Sequence, residues 1–114
     1  MKIAFDEIGE NYVTFYAGAS AAEGQVCKLG DNGTVAACGA GEDFCGVIAG
    51  IRDGAASVQM SGYCELPYTG ASAPAVGYGH LAANGTGGAA VTAGAKSYLI
   101  VQVDTVGKTV GFFL

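Results

Sequence analysis

The sequence predicts a small all-β protein, a compact β-barrel or sandwich built from two similar β-units with little or no helix. Three observations predict this fold class. Apolar residues alternate with polar ones at a period of two, glycine interrupts almost every window long enough for a helix, and one Asn-Gly-Thr phrase occurs twice. The 114 residues include 20 glycines, and a chain of this length has the size of one ordinary domain.

The first clear strand is "NYVTFYAG", residues 11–18. Its alternation places Val13, Phe15 and Ala17 on one face, as in a half-buried strand. Residues 1–10 precede it and contain the run "KIAF", which has strand character. We expect residues 1–10 to be either an N-terminal arm or a first strand, followed by a single β domain over residues 11–114.

Six further segments read as strands because β-branched and aromatic residues dominate them. The gaps between them carry Gly, Asn and Asp, which favour turns. In chain order the segments are GQVCKL (24–29), TVAAC (34–38), FCGVIAGI (44–51), ASVQMSGYCEL (56–66), SYLIVQVDT (97–105) and KTVGFFL (108–114).

An internal repeat appears when the chain is compared with itself at an offset of 52 residues. At this offset "LGDNGT" (29–34) aligns with "LAANGT" (81–86), and the later apolar runs also align. One offset that matches turns and apolar alternation together predicts two copies of a β-unit, over about 24–62 and 76–114, with a connector over 63–75.

Each copy is predicted to consist of a strand, an Asn-Gly turn, a second strand, a loop and a long hairpin. Asn32-Gly33 and Asn84-Gly85 should form matched hairpin turns, because Asn-Gly adopts the positive φ angles that such turns need. The faces expected to form a joint core in the long hairpins are those of Val47, Ala49 and Ile51 in one copy and Leu99, Val101 and Val103 in the other.

Composition favours association with other proteins. Apolar residues make up 51% of the chain and charged residues only 13%, so part of the surface should be apolar and should mark an interaction site. The net charge of −5 leaves no basic stripe for direct nucleic-acid binding. Acidic residues interrupt the apolar run at the N-terminus, so neither a signal peptide nor a membrane span is predicted, and a cytosol-like compartment is expected.

The residues with reactive side chains do not form a recognisable constellation. Four cysteines have spacings that match neither paired zinc motifs nor a compact disulfide scaffold, and we expect free core thiols. His80 is the only histidine, and the adjacent carboxylates Glu42 and Asp43 are interpreted as a solvated loop. The sequence therefore predicts no enzyme, no catalytic or metal-binding residues and no cofactor.

The segment between the copies, "SGYCELPYTGASAPAVG" (61–77), carries a family resemblance. The chain resembles the head decoration, or capsid cement, proteins of tailed bacteriophages over most of its length. The phrase "GYCELPY" (62–68) is the most specific element, supported by "AGASAAEGQV" (17–26) and "FCGVIAGI" (44–51). The sequence departs from the family pattern at Cys64, where a large apolar residue is usual, and at "VGYGHL" (76–81).

The resemblance implies a structural virion protein that is made in the host bacterial cytoplasm and binds the outside of a capsid. Its partner would be the major capsid protein, it would stabilise the head, and it would form a homo-oligomer, a trimer. Direct contact with nucleic acid or membrane is not expected. The candidate interface residues are Lys2, Ile3, Phe5, Tyr63, Leu66, Pro67 and Tyr68.

Two alternative functions remain open from the sequence. A small β-barrel could bind a lipid or another small ligand, in a cavity lined by Val47, Ile51, Leu99 and Val101 instead of a filled core. An adhesive module of a phage tail or a bacterial surface is the other alternative, although the sequence has few clusters of aromatic and acidic residues.

Overall fold

Ten β-strands form two five-stranded units, and the computed structural model describes residues 9–114. The all-β fold class is confirmed, with no helix in this part of the chain. The first unit comprises β1 (Asn11–Ala17), β2 (Val26–Asp31), β3 (Thr34–Ala37), β4 (Gly46–Arg52) and β5 (Ala55–Ser61). The second comprises β6 (Tyr63–Pro67), β7 (Gly77–Ala83), β8 (Ala89–Val91), β9 (Ser97–Asp104) and β10 (Thr109–Phe113).

The first unit is a closed barrel with the strand order β1-β3-β2-β4-β5. All neighbouring strands are antiparallel except β1 and β3, which pair in parallel at Tyr16–Thr34 and Ala17–Val35. This parallel pair joins the two strands that would otherwise be the edges of the sheet. Closure therefore leaves the first unit without an unpaired edge strand.

The second unit has the same strand order, β6-β10-β9-β7-β8, with β6 in the place of β1. Its edge strands come together through only a single parallel bridge, between Tyr68 and Ala89. The second unit is therefore a nearly closed copy of the first, with a more open seam between β6 and β8.

Strand register is also equivalent in the two units. Val26 pairs with Val47, and the residues 52 positions later, Tyr78 and Leu99, pair in the same way. Asn11 pairs with Ser61, as Tyr63 pairs with Phe113. The repeat over 24–62 and 76–114 stays a prediction, and this pairing adds β1 and β6 as equivalent first strands, so that residues 63–67 lie within a unit.

One predicted strand is divided in the structure, and two strands lack a clear local sequence pattern. The segment ASVQMSGYCEL (56–66) is two strands, because Gly62 with φ of 93° turns the chain between β5 and β6. Strands β7 and β8 flank the Asn84-Gly85 loop, as the repeat predicts, although their own segments carry no clear strand pattern. Both are rich in Ala and Gly, whose weak β-propensity hides strands that backbone pairing nevertheless forms.

The core of the first unit lies on the opposite strand face from the one expected. Ile48 is fully buried in β4, whereas its neighbour Ala49 is exposed, and in β9 Ile100 is buried whereas Leu99 is exposed. The expected joint core is therefore wrong at Ala49 and Leu99, whereas Val47 and Val103 do pack against the second core and Ile51 packs against the first. Runs such as "GVIAGI" are apolar on both faces, so their pattern cannot decide which face points inward. The buried residues of the first core are Cys27, Val35, Ile48, Ala56 and Val58.

The second core is shared between the units. Residues 38–45, which we call the plug segment, leave β3 of the first unit and place Phe44 in the second core, where its ring stacks on Tyr98 at a centroid distance of 5.4 Å. Backbone hydrogen bonds from Gly41 N to Ala83 O (2.8 Å) and from Ala83 N to Glu42 O (2.9 Å) fix the plug segment against β7.

The two Asn-Gly phrases form different turns. Asn32-Gly33 is a two-residue turn between β2 and β3, whereas Asn84-Gly85 begins a five-residue loop over 84–88. Both glycines have positive φ, 60° and 87°, but neither asparagine does. The expectation of matched turns is therefore wrong. In the longer loop, Asn84 Oδ1 accepts hydrogen bonds from Thr86 N (2.8 Å), Thr86 Oγ1 (3.0 Å) and Gly88 N (3.0 Å).

We predict that Phe44→Ala lowers the free energy of unfolding by about 3 to 5 kcal/mol, because it removes a buried aromatic ring and leaves a cavity between the units. Val106→Ala, at an almost fully exposed position of the β9–β10 turn, should change it by less than about 0.5 kcal/mol. Urea unfolding measures both. Equal stability of the two variants would contradict the role assigned to Phe44.

We also predict that Asn84→Ala costs about 1 to 2 kcal/mol, because three donors lose their acceptor. Asn32→Ala is the matched control and should cost less than about 0.5 kcal/mol, since the Asn32 side chain makes no such set of hydrogen bonds within residues 9–114. Thermal melts of the two variants test the difference, and an equal cost at both sites would contradict the role assigned to the Asn84 side chain.

Candidate binding surface

An apolar row crosses the outer face of the second sheet. Tyr63 pairs in register with Phe113, Phe113 with Leu99, and Leu99 with Tyr78. Directly paired residues project from the same face of a sheet, so these four side chains lie side by side. The exposed fraction rises along the row, from 5% at Tyr63 through 38% at Leu99 to 80% at Tyr78.

The Tyr63 end of the apolar row is fixed by packing and hydrogen bonds. Tyr63 meets Phe113 edge to face at 5.5 Å, and its hydroxyl donates to Glu65 Oε2 at 3.1 Å and accepts from Gln102 Nε2. A Cβ at Gly111 would overlap this hydroxyl, so glycine is needed beneath the ring. Burial raises the pKa of Tyr63 above its usual range. This end is a structural anchor for the row.

The Tyr78 end of the apolar row borders an open groove of about 420 Å³. Ala73, Pro74, Ala75 and Val76 form one wall of the groove, and its other residues come from β7, β8, β9 and the loop between β8 and β9. Val76 is largely exposed beside Tyr78. Small apolar residues next to exposed large ones are typical of a surface that packs against another protein.

The first unit carries a second apolar region. Tyr12, Val13, Tyr16 and Leu29 are exposed there. A depression of about 510 Å³, which we call the first-unit depression, is lined by Thr14, Phe15, Tyr16, Gly33 and Ala55. The exposed apolar side chains of the second unit are gathered at the groove, where Val76, Tyr78 and Val91 are lining residues, whereas in the first unit Tyr12 and Tyr16 border separate depressions.

The sequence-predicted interface residues are only partly at the surface of the described chain. Leu66 and Tyr68 are buried in the second core, and Tyr63 is the buried end of the apolar row. Pro67 is exposed at the end of β6. Their part in a partner interface stays a prediction. Lys2, Ile3 and Phe5 lie outside the described residues.

Sequence reasoning missed the most exposed members of the surface. Tyr78 and Val76 lie in "AVGYGHL", where glycines obscured the strand, and Leu99 was assigned to the core. A usable signal was present in "SYLIVQVD", where alternate residues are apolar on both faces. A strand that is apolar on both faces has one face against the core and must cover the other with something else.

The four thiols are free, as expected from the sequence. Cys27 Sγ lies 4.0 Å from Cys45 Sγ. This thiol–thiol contact lowers the pKa of Cys45 to about 7 and raises the pKa of Cys27. Burial raises the pKa of Cys38 to about 11 and that of Cys64 to about 12. Cys45, which is half-buried, is therefore the thiol with the most thiolate character at neutral pH.

The acidic pair of the plug segment has a structural role. Glu42 accepts hydrogen bonds from Lys28 Nζ (2.6 Å) and Gly39 N (2.6 Å), and the bond from Lys28 lowers its pKa. Glu42 and Asp43 are both exposed in a loop, as expected. Among residues 9–114, no three His, Cys, Asp or Glu side chains are grouped as metal ligands would be.

Comparison with known proteins adds no relative. The sequence matches no protein family and is not significantly similar to any curated protein. Within the described residues, no helix has the length and apolar character needed to cross a membrane.

We predict that iodoacetamide alkylates Cys45 at least about tenfold faster than Cys38 or Cys64 at neutral pH. The rate should rise as the pH increases through about 7, because the Cys45 thiolate forms over this range, and should then level off. Mass spectrometry of digests after timed labelling measures each site. Cys45→Ser should remove the fast phase, and faster labelling of Cys38 or Cys64 would contradict the assignment.

Proposed function

We propose that this protein is a structural, non-enzymatic virion component that binds the outside of a phage capsid and stabilises the head. The observation that carries the proposal is the distribution of exposed apolar side chains, which occur on both five-stranded units. A protein that contacts several neighbours in a lattice needs more than one binding face. The resemblance of "GYCELPY" (62–68) to capsid decoration proteins supplies the class of lattice.

The proposed partners are the major capsid protein and further copies of this chain, with a homotrimer as the assembled form on the capsid exterior. Lys2, Ile3 and Phe5 of the N-terminal segment and Pro67 at the end of β6 are the proposed contacts to capsid protein. Repetition of one weak contact over a lattice gives avidity, so no single contact has to be strong.

The small number of charged residues supports binding through apolar contact area more than through ion pairs with the partner. Lys28 and Glu42 form an ion pair at 2.6 Å, which lies within the chain and fixes the plug segment. Only 13% of residues are charged. Binding that depends on apolar contact is weakly screened by salt, in contrast to binding through opposite charges.

The filled interiors argue against the ligand-binding alternative. Large apolar side chains occupy both cores, and the four residues proposed to line a ligand cavity do not share a pocket. Val47 borders a groove between β4 and β6, whereas Ile51 lies beside a separate depression near β5. A barrel that holds a lipid needs an enclosed apolar cavity, so the structural function is the better supported of the two.

We predict that the full chain co-sediments with empty shells assembled from the major capsid protein of the same genome, at a saturating, fixed number of copies per shell. Ile3→Ser combined with Phe5→Ser should weaken binding by about tenfold or more, as loss of apolar anchors does. Val106→Ser, at an exposed turn, is the control and should bind like the parent. Failure of the parent chain to bind these shells would contradict the proposed function.

A further inference from the structure

The contact between the two units has a counterpart that faces solvent. In the first unit, the paired residues Val26 and Val47 lie on the outside of the barrel and pack against the second core. Tyr78 and Leu99 are the equivalent pair of the second unit, with the same register. Val26 is 1% exposed, whereas Tyr78 is 80% exposed. The second unit thus presents, uncovered, the face that the first unit buries.

The place where the first unit docks also has a counterpart. The docked unit contacts the 84–88 loop of the second unit, through a hydrogen bond from Val26 N to Gly87 O (3.1 Å) and through the close approach of Ala40 to Gly85. The turn at 32–33 occupies the equivalent position in the first unit, between its second and third strands. The first-unit depression lies beside this turn, with Gly33 and Tyr16 in its lining.

Leucines at equivalent positions of the two units also differ in their exposure to solvent. Leu81 of β7 is fully buried in the core cluster to which the first unit contributes Val26 and Phe44. Leu29, its equivalent in β2, is 56% exposed. Leu29 and Tyr16 lie at the same end of the first unit but on opposite faces of the sheet, since they pair with the adjacent residues Val35 and Thr34 of β3, and of the two only Tyr16 lines the first-unit depression. Tyr16 is 73% exposed. This end of the first unit therefore lacks the cover that its counterpart receives.

We propose that copies of this chain associate head to tail, with the Tyr78–Leu99 face of one copy against the first-unit depression of the next. The occupant is a second copy because the chain already makes this kind of contact between its own two units. Two different faces of each copy are used, so the contact is heterologous and closes into a ring when the rotation permits. This inference rests on the self-association in the proposed function and supplies its surfaces.

The new contact is not identical to the internal one. Lys96 stands in the second unit where Phe44 stands in the first, at the offset of 52 residues. The Tyr78–Leu99 face thus has no aromatic plug, and its large side chain is Tyr78 itself. The first-unit core is already closed by the parallel pairing of β1 and β3, so it has no seam for a plug to fill. A surface contact with a tyrosine anchor, weaker than the internal contact, fits both differences.

Mixing of two face variants tests the head-to-tail arrangement. One full-length variant carries Tyr78→Ser and Leu99→Ser, and the other carries Tyr16→Ser, at the exposed tyrosine of the first-unit depression. Sedimentation velocity over micromolar to millimolar concentrations should show oligomers for the parent chain. Each variant alone should run as the 11.3 kDa monomer, with a dissociation constant raised about tenfold or more. An equimolar mixture should form a dimer, because one intact copy of each face remains available.

Controls separate this inference from loss of folding and from the proposed function. Circular dichroism spectra and thermal melts should match the parent, since Tyr78, Leu99 and Tyr16 are exposed, and Val106→Ser should associate like the parent. A parent chain that stays monomeric throughout would overturn the inference, as would a mixture that forms no dimer, or association that depends on one face alone. Shell binding by a chain that remains monomeric would overturn this inference and leave the proposed function standing.

Discussion

The insertion of Phe44 into the second core is the contact on which the arrangement of the two units depends. The plug segment brings this ring onto Tyr98 and Phe112, and two backbone hydrogen bonds with Ala83 hold its loop in place. Glu42, bound by Lys28 and by Gly39 N, sets the loop conformation from the first-unit side. With Phe44 inserted, the outer pair Val26–Val47 packs against the second core. These contacts set the orientation of the two units and therefore the directions in which their exposed faces point.

Strand register is conserved between the units while the side chains at equivalent positions are not. The same outer pair is Val26–Val47 in one unit and Tyr78–Leu99 in the other, so one geometry gives an internal interface and an external face. The contact between the two edge strands also differs between the units. In the first unit, β1 and β3 pair and close the barrel. In the second unit, a single bridge joins the corresponding edges, and side chains from the first unit complete the core.

Local patterns in the sequence predict the fold class and most strands, but not the conformations of the loops or the contacts between distant strands. Alternation and Gly-rich gaps identify β1 and β4, whereas "GYGHLAA" contains so many small residues that β7 has no pattern of its own. The 52-residue offset aligns Asn32 with Asn84, yet the turns differ because Gly87 and Gly88 lengthen the second loop. The apolar residues on both faces of "SYLIVQVD" indicate that this strand has a second face to cover, but they leave undetermined which of the two faces lies in the core. Phe44 gave no signal at all, since its partners, Tyr98 and Phe112, are far away in sequence.

The shared core also has a consequence for the order in which the protein acquires its structure. The first core consists entirely of residues of the first unit. The second core, in contrast, also includes Val26, Cys38 and Phe44 of the first unit. Chain synthesis runs from the N-terminus, so the half that can close by itself emerges before the half that cannot. Without the first unit, the second half would lack Val26, Cys38 and Phe44 from its interior, whereas the first half needs no residue of the second for its own core.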